Sequence, residues 1–333
     1  MPETKPVKTP LIFAGIGEVL FDVFEDGTET LGGAPLNFTV HAHQLASQFG
    51  IGHGLIISNV GSDRRGQKII DSLDTRHMSS GYIGKDESHP TGVVSVFMKN
   101  GEPAYQIEVD SAWDYITEKP VFKELACQCS AICFGSLAQR NEVSRNTVRN
   151  FLKAAPQEAI LLYDANLRKN TLTGENGYSQ EIINYSCHAA TIIKVNRTEL
   201  FTMFDILGIA CPDDQSLYGI RHRMEMLLEL FPAQAVVVTR GKKGTIILNR
   251  SGEFVITQPG PAGGTAYPVG AGDACSAGIL FGLTLGWDIH TTMELANRMG
   301  ADVASHPAAT PPLSDETLNF AQAHLKPSLS DNL

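Results

Sequence analysis

The residues with the clearest chemistry are Gly270-Ala271-Gly272-Asp273, followed by the small residues Ala274-Cys275-Ser276-Ala277-Gly278. Gly270 and Gly272 leave the backbone open to close approach by a ligand. A helix is expected from Ala274 to about Leu285, stopped by Gly286. The first turn of a helix has N–H groups with no internal partner, and together with the positive end of the dipole they bind anions. Asp273 stands at the mouth of that anion site. It can be read as an N-cap, because Asp is a favoured capping residue. It can equally be read as a base beside a phosphate-gripping turn, held ionised by the dipole and ready to accept a hydroxyl proton.

Further polar clusters fall where apolar strands should end. They are Asp164-Ala165-Asn166-Leu167-Arg168, Asn196-Arg197-Thr198-Glu199 and Thr239-Arg240-Gly241-Lys242-Lys243-Gly244. Each alone reads as a loop or cap. In a parallel sheet, however, the carboxyl ends of the strands share one crevice, where ligands bind. Nearer the N-terminus, Gly32-Gly33-Ala34-Pro35-Leu36-Asn37 opens a helix, with Pro35 suited to its first position. Asn37 is either a local cap or aimed at a ligand. Asp22 interrupts an apolar strand and is either an outward-facing residue or a polar contact.

These pieces meet the needs of phosphoryl transfer: stabilised phosphate oxygens, a countercharge and an oriented acceptor. The amides of Gly270, Ala271 and Gly272 can serve the first. Magnesium near Asn196 and Glu199, held mostly through waters, can serve the second, helped by Lys194, Arg168 or Lys242. No G-x-x-x-x-G-K-S/T run occurs, which excludes a P-loop kinase, and the protein-kinase H-R-D and D-F-G pair is missing. Gly15-x-Gly17 lacks the third glycine of a dinucleotide fingerprint. His41 and His43 do not share a helix face, so they are poor co-ligands. Cys127, Cys129 and Cys133 lack a zinc spacing and read as free thiols.

The elements that must position these residues follow an alternation. Strands are expected at 11–17, 55–60, 131–135, 159–164, 191–195 and 235–239. Helices are expected at 66–73, 142–155, 178–189, 198–206, 216–230, 288–305 and 315–325, and from Pro35 to Gly50. Continuous apolar strands between helices imply a parallel sheet covered on both faces. Asp26-Gly27 and Asn100-Gly101 each mark a hairpin outside this alternation, and a third hairpin is expected around 249–252. The first two hairpins imply an accessory sheet over one face.

With 333 residues, 43% hydrophobic and 19% charged, the composition is globular. A formal net charge of −10 argues against a nucleic-acid scaffold. Neither a signal peptide nor a membrane span is present, so a soluble cytoplasmic protein with reduced cysteines is expected. No repeat or linker divides the chain. Residues 326–333 are expected to form a loose tail.

Taken together, the glycine turn, Gly32-Gly33-Ala34-Pro35-Leu36-Asn37, Asn196-x-x-Glu199 and Thr239-Arg240-Gly241 resemble the PfkB (ribokinase-like) carbohydrate kinases. Asp164-Ala165-Asn166-Leu167-Arg168 and Ala296-Asn297-Arg298 resemble the fructokinase branch. The likeness runs from about Phe13 to about Thr310. It implies an α/β ribokinase-like fold: one domain over 1–333, a central mostly parallel sheet with helices on both faces, and a small β lid from hairpins at about 18–32 and 92–110. It implies an ATP-dependent kinase acting on a sugar hydroxyl. Asp273 would be the base, with Gly270, Ala271 and Gly272 as the anion hole. Asp22, Gly33, Asn37 and Arg168 would bind the sugar. Asn196, Thr239, Gly241, Gly244 and Asn297 would line the nucleotide site, and Glu199 would organise magnesium. The lid would pair two subunits. Relatives usually carry Asp-Thr before the glycine turn, part of a monovalent-cation site. Tyr267-Pro268 stands there instead, which puts potassium activation in doubt. A nucleoside kinase, a ketodeoxy-sugar-acid kinase and a non-catalytic sugar-binding protein on the same fold are the rival readings.

Overall fold

The computed structural model describes residues 9–99, 102–168, 177–260 and 269–325. Tyr267-Pro268 and the expected tail at 326–333 lie outside the described residues.

β1 (Leu11–Ile16) leads into the hairpin β2 (Leu20–Phe24) and β3 (Glu29–Gly32). α1 (Ala34–Gln48), β4 (Gly52–Gly61), α2 (Arg64–Thr75) and β5 (Ile83–Asp86) follow. The second hairpin is β6 (Gly92–Lys99) and β7 (Glu102–Ile107). Then the alternation is regular: α3 (Pro120–Ala126), β8 (Ala131–Phe134), α4 (Glu142–Ala154), β9 (Ile160–Asp164), α5 (Gln180–Ala189) and β10 (Ile192–Asn196). It continues through α6 (Arg197–Leu207), α7 (Leu217–Leu230) and β11 (Ala235–Thr239) to the hairpin β12 (Thr245–Asn249) and β13 (Phe254–Thr257). α8 (Ala271–Thr284), α9 (Ile289–Ala304) and α10 (Asp315–His324) close the chain.

The main sheet has nine strands in the order β13-β12-β11-β10-β9-β8-β1-β4-β5. It is parallel from β11 to β5, and only β12 runs against the rest, pairing antiparallel with both β11 and β13. The reason is visible along β1. Ile12, Ala14 and Ile16 enter the core beneath α4 to α7, while Phe13 enters the core shared with α1, α8 and α9. A strand buried on both sides needs no polar face. β1 lies between β4 and β8, so the chain reverses its direction of travel across the sheet there, and such a switch point opens a crevice at the strand carboxyl ends.

The two early hairpins join into one four-stranded sheet, β3-β2-β6-β7, through parallel pairing of β2 with β6. No helix among the described residues is long and apolar enough to cross a membrane.

The glycines of Gly15-x-Gly17 serve packing rather than a dinucleotide. A Cβ at Gly15 would lie 2.5 Å from the Pro35 carbonyl oxygen, so α1 can press against β1 only because that position is bare. This close approach delivers the N-terminus of α1 to the crevice.

Candidate active site

α8 begins at the crevice. Its N-cap is Gly270, with φ of 83°, a left-handed conformation natural to glycine. A Cβ there would also lie 2.5 Å from the Ala309 carbonyl oxygen. The Ala274 N–H donates to the Gly270 carbonyl at 2.9 Å, so the amides of Ala271, Gly272 and Asp273 precede the first intrahelical bond. The helix therefore starts three residues before Ala274, and Asp273 is not its cap but sits in its first turn.

α1 arrives from the other side. Its N-cap, Gly33, has φ of 108°, and any Cβ there would collide with the Glu18 carbonyl oxygen. Asn37, only 3% exposed, follows in the first turn. Its Nδ2 donates to Asp273 Oδ2 at 2.8 Å, across 236 residues of sequence. Asn37 Oδ1 is buried without a partner. The alternative of a local cap is thus excluded for Asn37, whose amide belongs to the Asp273 carboxylate.

The expectation that the dipole keeps Asp273 ionised is corrected. Burial pushes its carboxyl up to about 7, and repulsion from Asp164 adds to this. The Asn37 hydrogen bond, Lys194 and Arg168 pull the other way without prevailing. Desolvation of a charge outweighs a helix terminus. A carboxylate poised near neutrality is suited to take a proton late in a transfer.

Beneath the turn lies an ion pair. Lys194 Nζ donates to Asp164 Oδ2 at 2.6 Å, and Ser276 Oγ donates to the same oxygen at 2.9 Å. This ties β9, β10 and α8 together. Burial opposes the Lys194 charge, but Asp164 holds its ammonium above the ordinary range. A Cβ at Gly272 would be 3.6 Å from Lys194 Nζ, which places that ammonium directly under the turn.

On the lid side, Asp22 of β2 flanks Gly32, where a Cβ would be 3.0 Å from Asp22 Oδ2. Burial pushes the Asp22 carboxyl up to about 6, against the pull of Arg168. Arg168 is exposed, and its charge is felt by Asp22, Glu18, Asp273 and Glu199 alike. Asn37 thus touches Asp273 and the charge of Arg168 reaches it, while Gly33 caps the helix that carries Asn37 and Asp22 shares the field of Arg168.

At the ends of β10 and β11 lies an open groove of about 660 Å³, whose walls include Asn196, Thr198, Gln215, Thr239, Arg240 and Gly241. Gly244 and Asn297 do not line it. Gly244 is left bare because β13 passes over it, and a Cβ would collide with the Thr257 carbonyl oxygen. Asn297 is buried and fully engaged: its Nδ2 donates to Thr257 Oγ1 at 2.8 Å and the Gln258 carbonyl at 2.6 Å, and its Oδ1 accepts from Thr245 Oγ1 at 3.1 Å. Both residues pack against the end of β13 and the residue that follows it.

Asn196 and Glu199 form a capping box on α6. The Glu199 N–H donates to Asn196 Oδ1 at 2.9 Å and the Asn196 N–H to Glu199 Oε2 at 2.8 Å. Glu199 Oε1 accepts from the Leu167 N–H at 3.0 Å. Each carboxylate oxygen therefore already has a backbone donor, and burial raises the Glu199 pKa. Among the described residues no group of three or more His, Cys, Asp or Glu could hold a metal ion. This donor set does not coordinate magnesium directly; it fits a water-mediated role, with phosphates supplying the inner oxygens.

Sequence reasoning gives Glu18 no role, and it places Asp164 in one cluster while naming Lys194 only as an aid to the countercharge. Glu18 was detectable as a carboxylate following a glycine at the carboxyl end of a buried strand. The Asp164–Lys194 pairing depends on the register of β9 against β10, where the two stand side by side.

The pfkB family carbohydrate kinase model matches residues 21–316. A Pyrococcus horikoshii protein described as a putative sugar kinase is 26% identical over 325 residues, covering 94% of this chain and 96% of the relative. The 5-dehydro-2-deoxygluconokinase of Geobacillus thermodenitrificans is 23% identical over 341 residues, covering 95% and 94%. Among solved structures, the fructokinase with bound ATP from Xylella fastidiosa superposes with a TM-score of 0.77 at 18% identity, covering 95% of this chain and 99% of that one.

Proposed function

This chain belongs to the pfkB family of carbohydrate kinases, and on that premise we propose that it moves the γ-phosphate of ATP to a hydroxyl of an uncharged sugar, fructose or a close relative. The observation that carries this reading is Asp273: a carboxylate poised near neutrality, inside a helix turn with free amides and hydrogen-bonded to Asn37. In the transfer, the acceptor O–H bond breaks and its proton passes to Asp273. The new bond to phosphorus forms as the bond to the leaving ADP oxygen breaks. The amides of Ala271, Gly272 and Asp273 stabilise charge on the migrating group. Lys194, locked to Asp164, adds a fixed positive charge below them.

The preference for a neutral sugar rests on charge. Burial already disfavours charge on Glu18, Asp22 and Asp273, and a substrate carboxylate brought in beside them would meet the same cost. A second reading, a sugar-acid kinase, is favoured by one observation: the exposed Arg168, able to meet a carboxylate. The nucleotide takes the groove at Asn196, Thr239 and Gly241, and Gly244 and Asn297 back it. Magnesium, brought in with the phosphates, supplies countercharge, and Glu199 and Asn196 order its waters. The β3-β2-β6-β7 sheet serves as the lid and, through its outer face, as the pairing surface of a cytoplasmic homodimer.

The test is a coupled assay of ADP release with hexoses, ketodeoxy-sugar acids and nucleosides, each with and without potassium. Neutral hexoses should turn over best, with little potassium effect. Highest kcat/KM on a sugar acid would establish the second reading. A large potassium requirement would overturn the inference drawn from Tyr267-Pro268.

A further inference from the structure

The face of α1 that bears Asn37 carries two further polar side chains. His41 stands one helical turn on and Gln44 almost a turn beyond it, a spacing that puts all three on one side of the helix. His41 is fully buried, and its Nε2 lies 3.1 Å from the Ala309 carbonyl oxygen, 268 residues away. A carbonyl only accepts, so Nε2 carries the proton and donates. Nδ1 is buried with no partner. Burial pushes the ring pKa down to about 4, against the pull of the Ala309 bond, so the imidazole is neutral near pH 7.

Ala309 belongs to the segment between α9 and α10, where the chain is neither helix nor strand. α1 and the end of α2 hold that segment by its neighbours. Gln44 Nε2 donates to the Pro311 carbonyl at 3.1 Å, the Leu313 N–H donates to Gln44 Oε1 at 3.1 Å, and Arg76 Nη2 donates to Thr310 Oγ1 at 3.2 Å. On its other side Ala309 meets the anion turn. A Cβ on Gly270 would lie 2.5 Å from the Ala309 carbonyl oxygen and 2.9 Å from both its Cα and its Cβ. α1 therefore reaches the start of α8 at two points: Asn37 holds the Asp273 carboxylate, and His41 holds the residue that walls Gly270.

We propose that His41 is a positioning residue for the transfer: through the Ala309 carbonyl it fixes the wall against which Gly270 keeps its left-handed cap, and so aims the amides of Ala271, Gly272 and Asp273 at the migrating group. No bond to His41 forms or breaks in the step. The inference rests on the kinase reading of this turn. Amides that lose their aim stabilise the transition state less while leaving ground-state binding in place, so the effect belongs in kcat.

The experiment compares His41→Met, which removes the donor at similar bulk, with His41→Gln, whose side-chain amide offers an N–H to the same carbonyl. In His41→Met, kcat should fall at least about fivefold while KM for sugar and for ATP stays within about twofold. His41→Gln should be at least about threefold faster than His41→Met. A smaller fall in a folded His41→Met protein, a fall matched by a rise in KM, or a His41→Gln protein no faster than His41→Met overturns the proposal. A second arm uses the wild-type protein, so it decides the matter even if His41→Met fails to fold. The His41 Nε2–H resonance, followed by ¹⁵N NMR, should shift when ADP, magnesium and aluminium fluoride set a phosphoryl-like anion against the turn, and should not shift with sugar alone. An unmoved resonance, or an equal shift with sugar alone, overturns the proposal. Wild-type protein inactive on every sugar would instead sink the kinase reading, whereas an active wild type with an unaffected His41→Met variant sinks only the role of His41.

Discussion

Asn37→Ala probes the link between the two helices. The Asn37 amide donates 2.8 Å to a carboxylate that burial has already raised to about 7. A hydrogen bond to a charged group is worth about 1.5–3 kcal/mol, and about 1.4 kcal/mol corresponds to one pKa unit. Losing it removes a stabiliser of the ionised form, so the Asp273 pKa should rise to roughly 8–9. At pH 7 the wild-type base is about half ionised, whereas in the variant about 1–10% would be. Turnover at pH 7 should therefore fall about 5- to 50-fold and recover as pH is raised toward 9. The assay is kcat against pH under saturating ATP and sugar, with a circular-dichroism melt as a fold control. A loss that is constant at every pH would refute the reasoning, because it would mean Asn37 acts on substrate binding or structure and not on the base.

Gly270→Ala forces a Cβ into a residue at φ 83° and within 2.5 Å of the Ala309 carbonyl oxygen. A melt should show a loss of at least about 1–2 kcal/mol, and kcat should fall more than KM rises. Lys194→Met strands the Asp164 carboxylate in the interior, and urea denaturation should show a cost of about 3–5 kcal/mol. Glu18→Gln should change the pH dependence of stability. The folded pKa of Glu18 is raised from 4.5 to about 7, so the native state binds the extra proton between those values and wild-type stability declines as pH rises through that window. The variant should gain relative to wild type by up to about 3 kcal/mol at pH 8 and by much less at pH 5, as measured by urea titration.

Much of the architecture can be read in the chain, because strands buried on both faces are uninterrupted apolar runs and the hairpins carry Asp-Gly and Asn-Gly. β5 (Ile83–Asp86) escapes that reading: although it closes the β4–α2–β5 unit, it is only four residues long and its second half, Lys85-Asp86, is polar and not buried. The glycine turn and the Gly33–Asn37 segment are legible because their glycines answer to backbone geometry that sequence records. Asp273's protonation is not, since it depends on how many groups exclude water around it. Asn196-x-x-Glu199 is ambiguous by nature: the same spacing makes a capping box and a site for ordered water, and only the backbone donors to both Glu199 oxygens distinguish direct metal ligation from an outer role. Asn297 carries no sign in sequence that all of its amide is spent on β12, β13 and the residue after β13. Glu18 was passed over because one carboxylate in an apolar run resembles an ordinary surface residue until burial is known.

The most direct measurement is single-turnover phosphoryl transfer by Asp273→Ala, using the best sugar from the panel, with sugar and ATP binding followed by calorimetry. If Asp273 accepts the hydroxyl proton, transfer should slow by about 100-fold or more while both ligands still bind. Transfer at the wild-type rate by a folded, ligand-binding Asp273→Ala protein would contradict the account.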